Sequence, residues 1–121
     1  MRNYRDLIVW KRSHEFVLDL YRLTNDFPRC DVFGLTSQIR RAAVSIPNNL
    51  AERCGRRGDG ELGRFVRIAM GSASEVDYLA LLAADLGYLP QSKYLEVVSD
   101  LNEIRRMLTG LFKQLSAPIA H

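Results

Sequence analysis

The 121-residue sequence predicts a single all-α domain, folded as an antiparallel up-down-up-down four-helix bundle. Four segments repeat apolar residues at spacings of three and four, and none alternates with a period of two over a useful length. Turn signals rich in glycine and proline separate the four segments, and the short connections favour antiparallel neighbours. The length suits one hydrophobic core, so we expect residues 1–121 to form one folding unit.

The first helix is expected from about Asp6 to Thr24, because the residue before Pro28 avoids helical geometry. Its apolar residues form two stripes on opposite sides of the helix. We assign to the core the stripe of Leu7, Trp10, His14, Val17 and Tyr21. A lone bundle needs only one apolar stripe, so the second is predicted to contact another subunit. This predicted interface on helix one consists of Val9, Phe16, Leu20 and Leu23.

The second helix is expected to begin near Leu35 or Thr36 and to run to about Cys54. Pro47 lies inside its apolar pattern, where it removes one backbone donor and clashes with the carbonyl four residues back. The sequence therefore predicts a second helix that is kinked at Pro47.

The third helix is expected from about Glu61 to Leu86, because Gly87 ends it and Pro90 forbids its continuation. Its second half is apolar almost all round, which predicts that another subunit covers part of it. The interface residues predicted on this helix are Tyr78, Leu81 and Leu82. The fourth helix starts near Ser92 and has the clearest amphipathic pattern of the chain.

Several classes of function are excluded by composition and motifs. No apolar run could span a bilayer, and the charged start MRNYRDLIVW does not resemble a signal peptide, so we expect a cytoplasmic protein that does not enter a membrane. Cys30 and Cys54 have no CxxC spacing, and the histidines and serines form no catalytic or phosphate-loop pattern. We therefore expect no catalytic residue, no bound metal and no cofactor.

Arginine is the residue type that best indicates a function. The net charge is only +3, but basic residues concentrate between Thr36 and Met70, and the stretch from Gly71 to Ile104 is acidic. Guanidinium groups present several donors and stay charged, which suits them to phosphate. The predicted nucleic-acid contacts are Arg41, Arg53, Arg56, Arg57, Arg64 and Arg67. Arg40 lies at the flank of its helix and suits a structural or inter-subunit pair, and the alternative interpretation of the whole set is a solvated surface.

Three sequence motifs are similar to those of a known family. They are YRDLIVWKRS, FPRCDVFGLTSQIRRAAVSIPNNLAER, and FVRIAMGSASEVDYL followed by LGYL. Over nearly its whole length the chain resembles the bacterial four-helix-bundle proteins encoded by intervening sequences of 23S rRNA genes. This resemblance implies an antiparallel bundle that assembles into a ring of five. The family is also similar to the accessory variability determinants of diversity-generating retroelements, so the implied partners are the chain itself, RNA or DNA, and a reverse transcriptase.

Three hypotheses about function remain open at this point. The first is a non-enzymatic homo-oligomer, with five subunits by resemblance, that binds nucleic acid or acts as an accessory factor through its arginines. The second is a structural or protein-binding oligomer without a nucleic-acid role. The third is a small helical enzyme acting on a dianionic metabolite, which needs arginines and a carboxylate converging on an inward cavity.

Overall fold

Four long helices pack against one another in the computed structural model, which describes residues 3–55 and 59–116, with side chains for 3–52 and 63–115. They are α1 (Ile8–Thr24), α2 (Ser37–Gly55), α3 (Asp59–Asp85) and α4 (Gln91–Ser116). Each helix packs on the next along the chain, and α1 also packs on α4, which closes the bundle. The described residues contain no strand, so the all-α four-helix bundle is confirmed.

The helix boundaries lie close to those predicted. α1 ends at Thr24 as expected and begins two residues after Asp6, because a 3₁₀ turn over Tyr4–Asp6 precedes it. At the other end of the bundle, Gly87 takes φ 81° and Tyr88 N–H bonds back to the carbonyl of Ala83 at 2.9 Å. This left-handed glycine stops α3 and turns the chain into α4.

The buried face of α1 differs from the predicted core stripe, of which Leu7 and Val17 are buried and Trp10 is partly buried. Val9, Phe16 and Leu20, predicted to contact another subunit, are 7%, 1% and 2% exposed and belong to the core of the single chain. His14 and Tyr21, assigned to the core, are exposed instead. The prediction that these three residues form an oligomer interface is therefore wrong.

Two polar residues on the buried face of α1 interrupted its apolar pattern in the sequence. Ser13 and Thr24 lie on the same side of α1 as Phe16 and are almost inaccessible. The Ser13 hydroxyl donates to the Trp10 carbonyl at 3.0 Å, and the Thr24 hydroxyl donates to a carbonyl one turn back at 2.8 Å. A buried hydroxyl that is bonded within its own helix costs little, so this face can be buried although it is not uniformly apolar.

The chain enters α2 through a tight turn over Val32–Thr36, in which Gly34 is non-helical. The Asp31 carboxylate accepts a hydrogen bond from Leu35 N–H at 3.1 Å and occupies the space that a Cβ on Gly34 would need. Asp31 also accepts a hydrogen bond from the Tyr88 hydroxyl. Partial burial of Tyr88 and this bond to Asp31 both raise the pKa of the Tyr88 hydroxyl. This carboxylate therefore ties the start of α2 to the connection between α3 and α4.

Pro47 is buried inside α2, and the helix runs without interruption from Ser37 to Gly55. The amide of Asn49 donates to the Ser45 carbonyl at 2.7 Å, so a side chain supplements the backbone bonds next to the proline. The kink expected at Pro47 stays a prediction.

Ion pairs join α4 to both of its neighbours. On one side, Arg12 of α1 contacts Asp100 at 2.7 Å and Glu103 at 3.2 Å. Burial alone would lower the pKa of Arg12, but its hydrogen bonds to these two carboxylates outweigh it and raise the pKa. On the other side, Arg105 contacts Asp77 of α3 at 3.1 Å. Three carboxylates of the acidic stretch from Gly71 to Ile104 are thus partly neutralised within the bundle.

None of the helices in the described part of the chain is both long and apolar enough to cross a membrane.

Candidate nucleic-acid interface

Arg64 and Arg67 lie near the start of α3, on the side of the helix away from the core. Both are exposed, because the core face of this part of α3 is occupied by Phe65, Val66 and Ala69. The Arg67 guanidinium lies 5.4 Å from the ring centre of Phe112 on α4, within the range of a cation–π contact. This contact joins the surface at the start of α3 to the surface at the end of α4.

Arg41 is also exposed, but it lies elsewhere. It lines a surface groove of about 540 Å³ together with Phe33, Ser37 and Glu75, so a carboxylate shares this groove. Ser72 of α3 donates to the Ser45 hydroxyl of α2 at 2.8 Å, close to the same groove. Glu75 follows Arg67 by eight positions, about 12 Å along the axis of α3. The structure therefore brings Arg64 and Arg67 together and leaves Arg41 apart from them.

The remaining predicted contacts are at the end of α2 and on the connection that follows it. The backbone of Arg53 belongs to α2. The side chain of Arg53, and Arg56 and Arg57 as a whole, lie outside the described residues. Their role as nucleic-acid contacts stays a prediction.

Arg40 has the structural role that was expected for it. Its Nε donates to the Thr24 hydroxyl at 2.7 Å, and its Nη2 donates to the Tyr21 carbonyl and to the Asn25 side chain at 3.2 Å each. Its guanidinium also lies 4.5 Å from the ring centre of Tyr21. A cation at the C-terminal turn of a helix bonds free carbonyls and complements the helix dipole. Arg40 thus fastens α2 to the end of α1.

Three further cations were missed by the sequence analysis. Arg105, Arg106 and Lys113 lie along α4 and line a groove of about 410 Å³ with Asn102, Thr109 and Gly110. The available signal was the spacing of Asn102, Arg106, Thr109 and Lys113 at intervals of three and four, which puts them on one helix face. It was obscured because the acidic stretch that ends at Ile104 covers the first half of α4 and stops just before Arg105 and Arg106.

The groups that an enzyme would need do not converge. His14 is exposed and stacks on Trp10, with ring centres 5.0 Å apart and planes 8° from parallel. The groove that Arg40 lines, of about 480 Å³, has no carboxylate in its wall. Thr36 lines it as well, and its buried hydroxyl has no partner among the described residues. In the residues with described side chains, no three His, Cys, Asp or Glu side chains lie close enough to hold a metal ion.

Several large apolar side chains are exposed. Of the predicted interface residues, Tyr78 is 61% and Leu81 is 42% exposed, whereas Leu23 and Leu82 are half-buried against the core. Phe33, in the turn before α2, is 97% exposed. Large apolar side chains exposed at such positions are candidates for contacts with other proteins.

Comparison with known proteins agrees with the fold. A family model described as 23S rRNA-intervening sequence protein matches residues 5–110. The chain is also similar to a solved structure from Bacteroides thetaiotaomicron VPI-5482, described as a protein with unknown function from the S23 ribosomal protein family. That match has a TM-score of 0.81 and 23% identity, and it covers 88% of this chain and 96% of the other. No curated protein matches the sequence.

Proposed function

The chain belongs to the 23S rRNA-intervening sequence protein family, and from its exposed basic surface we propose that it is a non-enzymatic, cytoplasmic homo-oligomer that binds nucleic acid. The observation that carries this proposal is the pair Arg64 and Arg67 at the start of α3. Both side chains are exposed, and no carboxylate with a described position forms an ion pair with either. Exposed arginines without a carboxylate partner are well suited to contact phosphate.

The distribution of charge within the bundle supports this proposal. Asp100 and Glu103, which give α4 much of its acidic character, are turned to Arg12 of α1. The part of the surface where α3 begins and α4 ends is left with more cations than carboxylates among its described side chains. A surface of one sign attracts a polyanion without reading its sequence, so binding should be sequence-tolerant and should weaken steeply with salt.

We propose that a second copy of the chain covers the exposed apolar side of α3. Tyr78 and Leu81 lie there, and fully burying one large apolar side chain contributes about 1.5–3 kcal/mol. A head-to-tail contact that closes into a ring would repeat the basic surface of each subunit around the assembly. Five is the number of subunits that the resemblance suggests.

The nucleic-acid role is tested by fluorescence anisotropy with labelled RNA, single-stranded DNA and duplex DNA at low salt. The double variant Arg64→Gln/Arg67→Gln should bind more weakly than wild type and show a smaller dependence on salt. The matched control is Lys11→Gln/Arg29→Gln, which removes two exposed cations on α1 and on the segment that follows it. If wild type fails to bind all three probes at low salt, the proposal is wrong.

The assembly is tested by multi-angle light scattering at micromolar concentration. Leu81→Glu and Tyr78→Glu should reduce the size of the particle while far-UV circular dichroism shows unchanged helical content. A monomeric wild-type protein would contradict the proposed oligomer.

A structural or protein-binding oligomer is the second candidate, and a separate observation favours it. Phe33 is almost fully exposed, and Val32 and Val44 near it are exposed as well, lining one common groove with it. An exposed aromatic side chain of this kind can insert into a pocket on another protein. The reverse transcriptase implied by the resemblance is one partner of this kind. If Phe33→Ser abolished partner binding and the arginine variants changed nothing, this second candidate would replace the first.

A further inference from the structure

The groove along α4 has an unusual lining. Its six residues are Asn102, Arg105, Arg106, Thr109, Gly110 and Lys113, and it encloses about 410 Å³. Five of the six carry a side chain that can donate hydrogen bonds, three of these are cationic, and none is a carboxylate or an apolar side chain. We call this surface the α4 groove.

The cations of the α4 groove are held in a regular arrangement. Arg106 and Lys113 are exposed on one face of the helix, seven residues or about 10 Å apart along its axis. Arg105 is fixed beside them, because one Nη1–H bonds to Asp77 at 3.1 Å. A guanidinium has five N–H donors, so Arg105 keeps others for a ligand. The groove thus presents positive charge at both of its ends.

No carboxylate competes for these cations from α4 itself. Asp100 and Glu103 lie on the α1 side of the helix, where both contact Arg12. Among the described side chains, no carboxylate forms an ion pair with Arg106 or Lys113. Asp77 is the partner of Arg105 and does not line the groove. An anion in the groove would therefore meet little repulsion.

Gly110 has no role in packing within the single chain. A Cβ at this position would meet no atom within 4 Å, so no neighbour requires a glycine there. Glycine is also disfavoured in the interior of a helix. Its effect here is to leave the floor of the groove, between Arg106 and Lys113, free of a side chain. The helix backbone is accessible at that point.

We infer that the α4 groove holds the phosphodiester backbone of a nucleic-acid strand. The groove continues the basic surface of the proposed function, on which this inference rests, because Phe112 of α4 contacts Arg67 of α3. A nucleic-acid strand fits the lining better than a membrane surface does. A membrane-binding face combines its cations with apolar side chains that insert between the lipids, and the α4 groove has none.

The test compares two double variants in anisotropy titrations of labelled single-stranded RNA over a range of salt concentrations. Arg106→Gln/Lys113→Gln removes the two exposed cations of the groove. Lys11→Gln/Arg29→Gln removes one lysine and one arginine that are exposed elsewhere and form no ion pair with a described carboxylate, and it is the matched control. The groove variant should make the negative slope of log K against log salt shallower by about 1.4, since each lost phosphate contact on a single strand contributes about 0.7. The control should keep the wild-type slope.

A second pair of variants tests whether a strand occupies the space above Gly110, where the groove has no side chain. Gly110→Glu places a carboxylate between the two cations and should weaken RNA binding about tenfold or more, whereas the neutral Gly110→Gln should weaken it far less. Circular dichroism confirms that each variant is folded. Because both substitutions add a side chain of nearly equal size, a difference between them reports charge and not crowding.

The possible outcomes separate this inference from the proposed function. If wild type binds RNA, Arg64→Gln/Arg67→Gln weakens binding and the groove variant does not, the α4 groove is not a nucleic-acid site and the proposed function stands. If wild type binds no nucleic acid, both fail. If the groove variant loses binding to phosphatidylserine vesicles and keeps its affinity for RNA, the groove serves a membrane and the inference is overturned.

Discussion

The burial of Phe16 on α1 can be tested with two phenylalanines, because Phe16 is buried and Phe33, in the turn before α2, is exposed. Phe16 is 1% exposed and belongs to the core, so Phe16→Ala removes most of a buried ring and leaves a cavity. Substitutions of this kind cost about 3–5 kcal/mol, a large part of the roughly 5–15 kcal/mol that stabilises a typical domain. Phe33 is 97% exposed, and Phe33→Ala should change the free energy of unfolding by no more than about 0.5 kcal/mol.

The measurement is urea unfolding followed by far-UV circular dichroism, with all proteins at one concentration because assembly contributes to apparent stability. Denaturant slopes of about 1–3 kcal/mol per molar urea convert the loss at Phe16 into a midpoint lower by at least about 1 M. Phe33→Ala should keep the wild-type midpoint. The two variants remove the same atoms, so the difference between them isolates burial.

One result would refute this reasoning. If Phe16→Ala cost less than about 1 kcal/mol and instead reduced the particle size in light scattering, Phe16 would contact a second subunit, as the stripes in the sequence suggested. The burial of Phe16 within the single chain would then be wrong. If Phe16→Ala unfolds the protein at room temperature, Phe16→Leu, which keeps part of the buried volume, should give a measurable loss of smaller size.

The structure predicts the outcome of four further substitutions in the same unfolding assay. Arg40→Met removes the hydrogen bonds to the last turn of α1 and should cost about 1–3 kcal/mol without changing RNA affinity. The pKa of Tyr88 is raised above 10.0, so near this pH the folded state keeps a proton that the unfolded state loses. Wild type should therefore lose stability as the pH rises through about 10, and Tyr88→Phe should lose less. Gly34→Ala should cost about 1–3 kcal/mol because its Cβ meets the Asp31 carboxylate, whereas Gly110→Ala should stabilise α4 by about 0.5–1 kcal/mol.

Each of these outcomes has a clear opposite. A loss of RNA affinity in Arg40→Met would give Arg40 a role in binding. If wild type and Tyr88→Phe lost the same free energy of unfolding at alkaline pH, the hydrogen bond between Tyr88 and Asp31 would be contradicted. A Gly110→Ala variant that is less stable than wild type would show that space at Gly110 is needed for packing, and it would weaken the argument for an open groove.

The sequence predicted the helices well because helix formation depends on neighbours along the chain. The apolar repeat at three and four specified α4 almost to its first residue, and Gly87 and Pro90 marked the turn before it. Arg40 was placed at the flank of α2 by the same periodicity, and its bonds to the end of α1 agree with the structural pair expected of it. The exposure of Arg41, Arg64 and Arg67 also followed from the helical wheel.

Only the tertiary structure decided which side of α1 is buried and which charges remain free. Both stripes of α1 are apolar, and the structure buries residues of each together with Ser13 and Thr24, whose hydroxyls are satisfied by their own helix. Arg12 and Asp100 lie 88 positions apart in the sequence, so their pairing across helices could not be read from either segment. That pairing turns the carboxylates of α4 towards α1 and leaves Arg106 and Lys113 in a basic groove. Periodicity records contacts within a helix, whereas the net charge of a surface depends on which helices become neighbours in space.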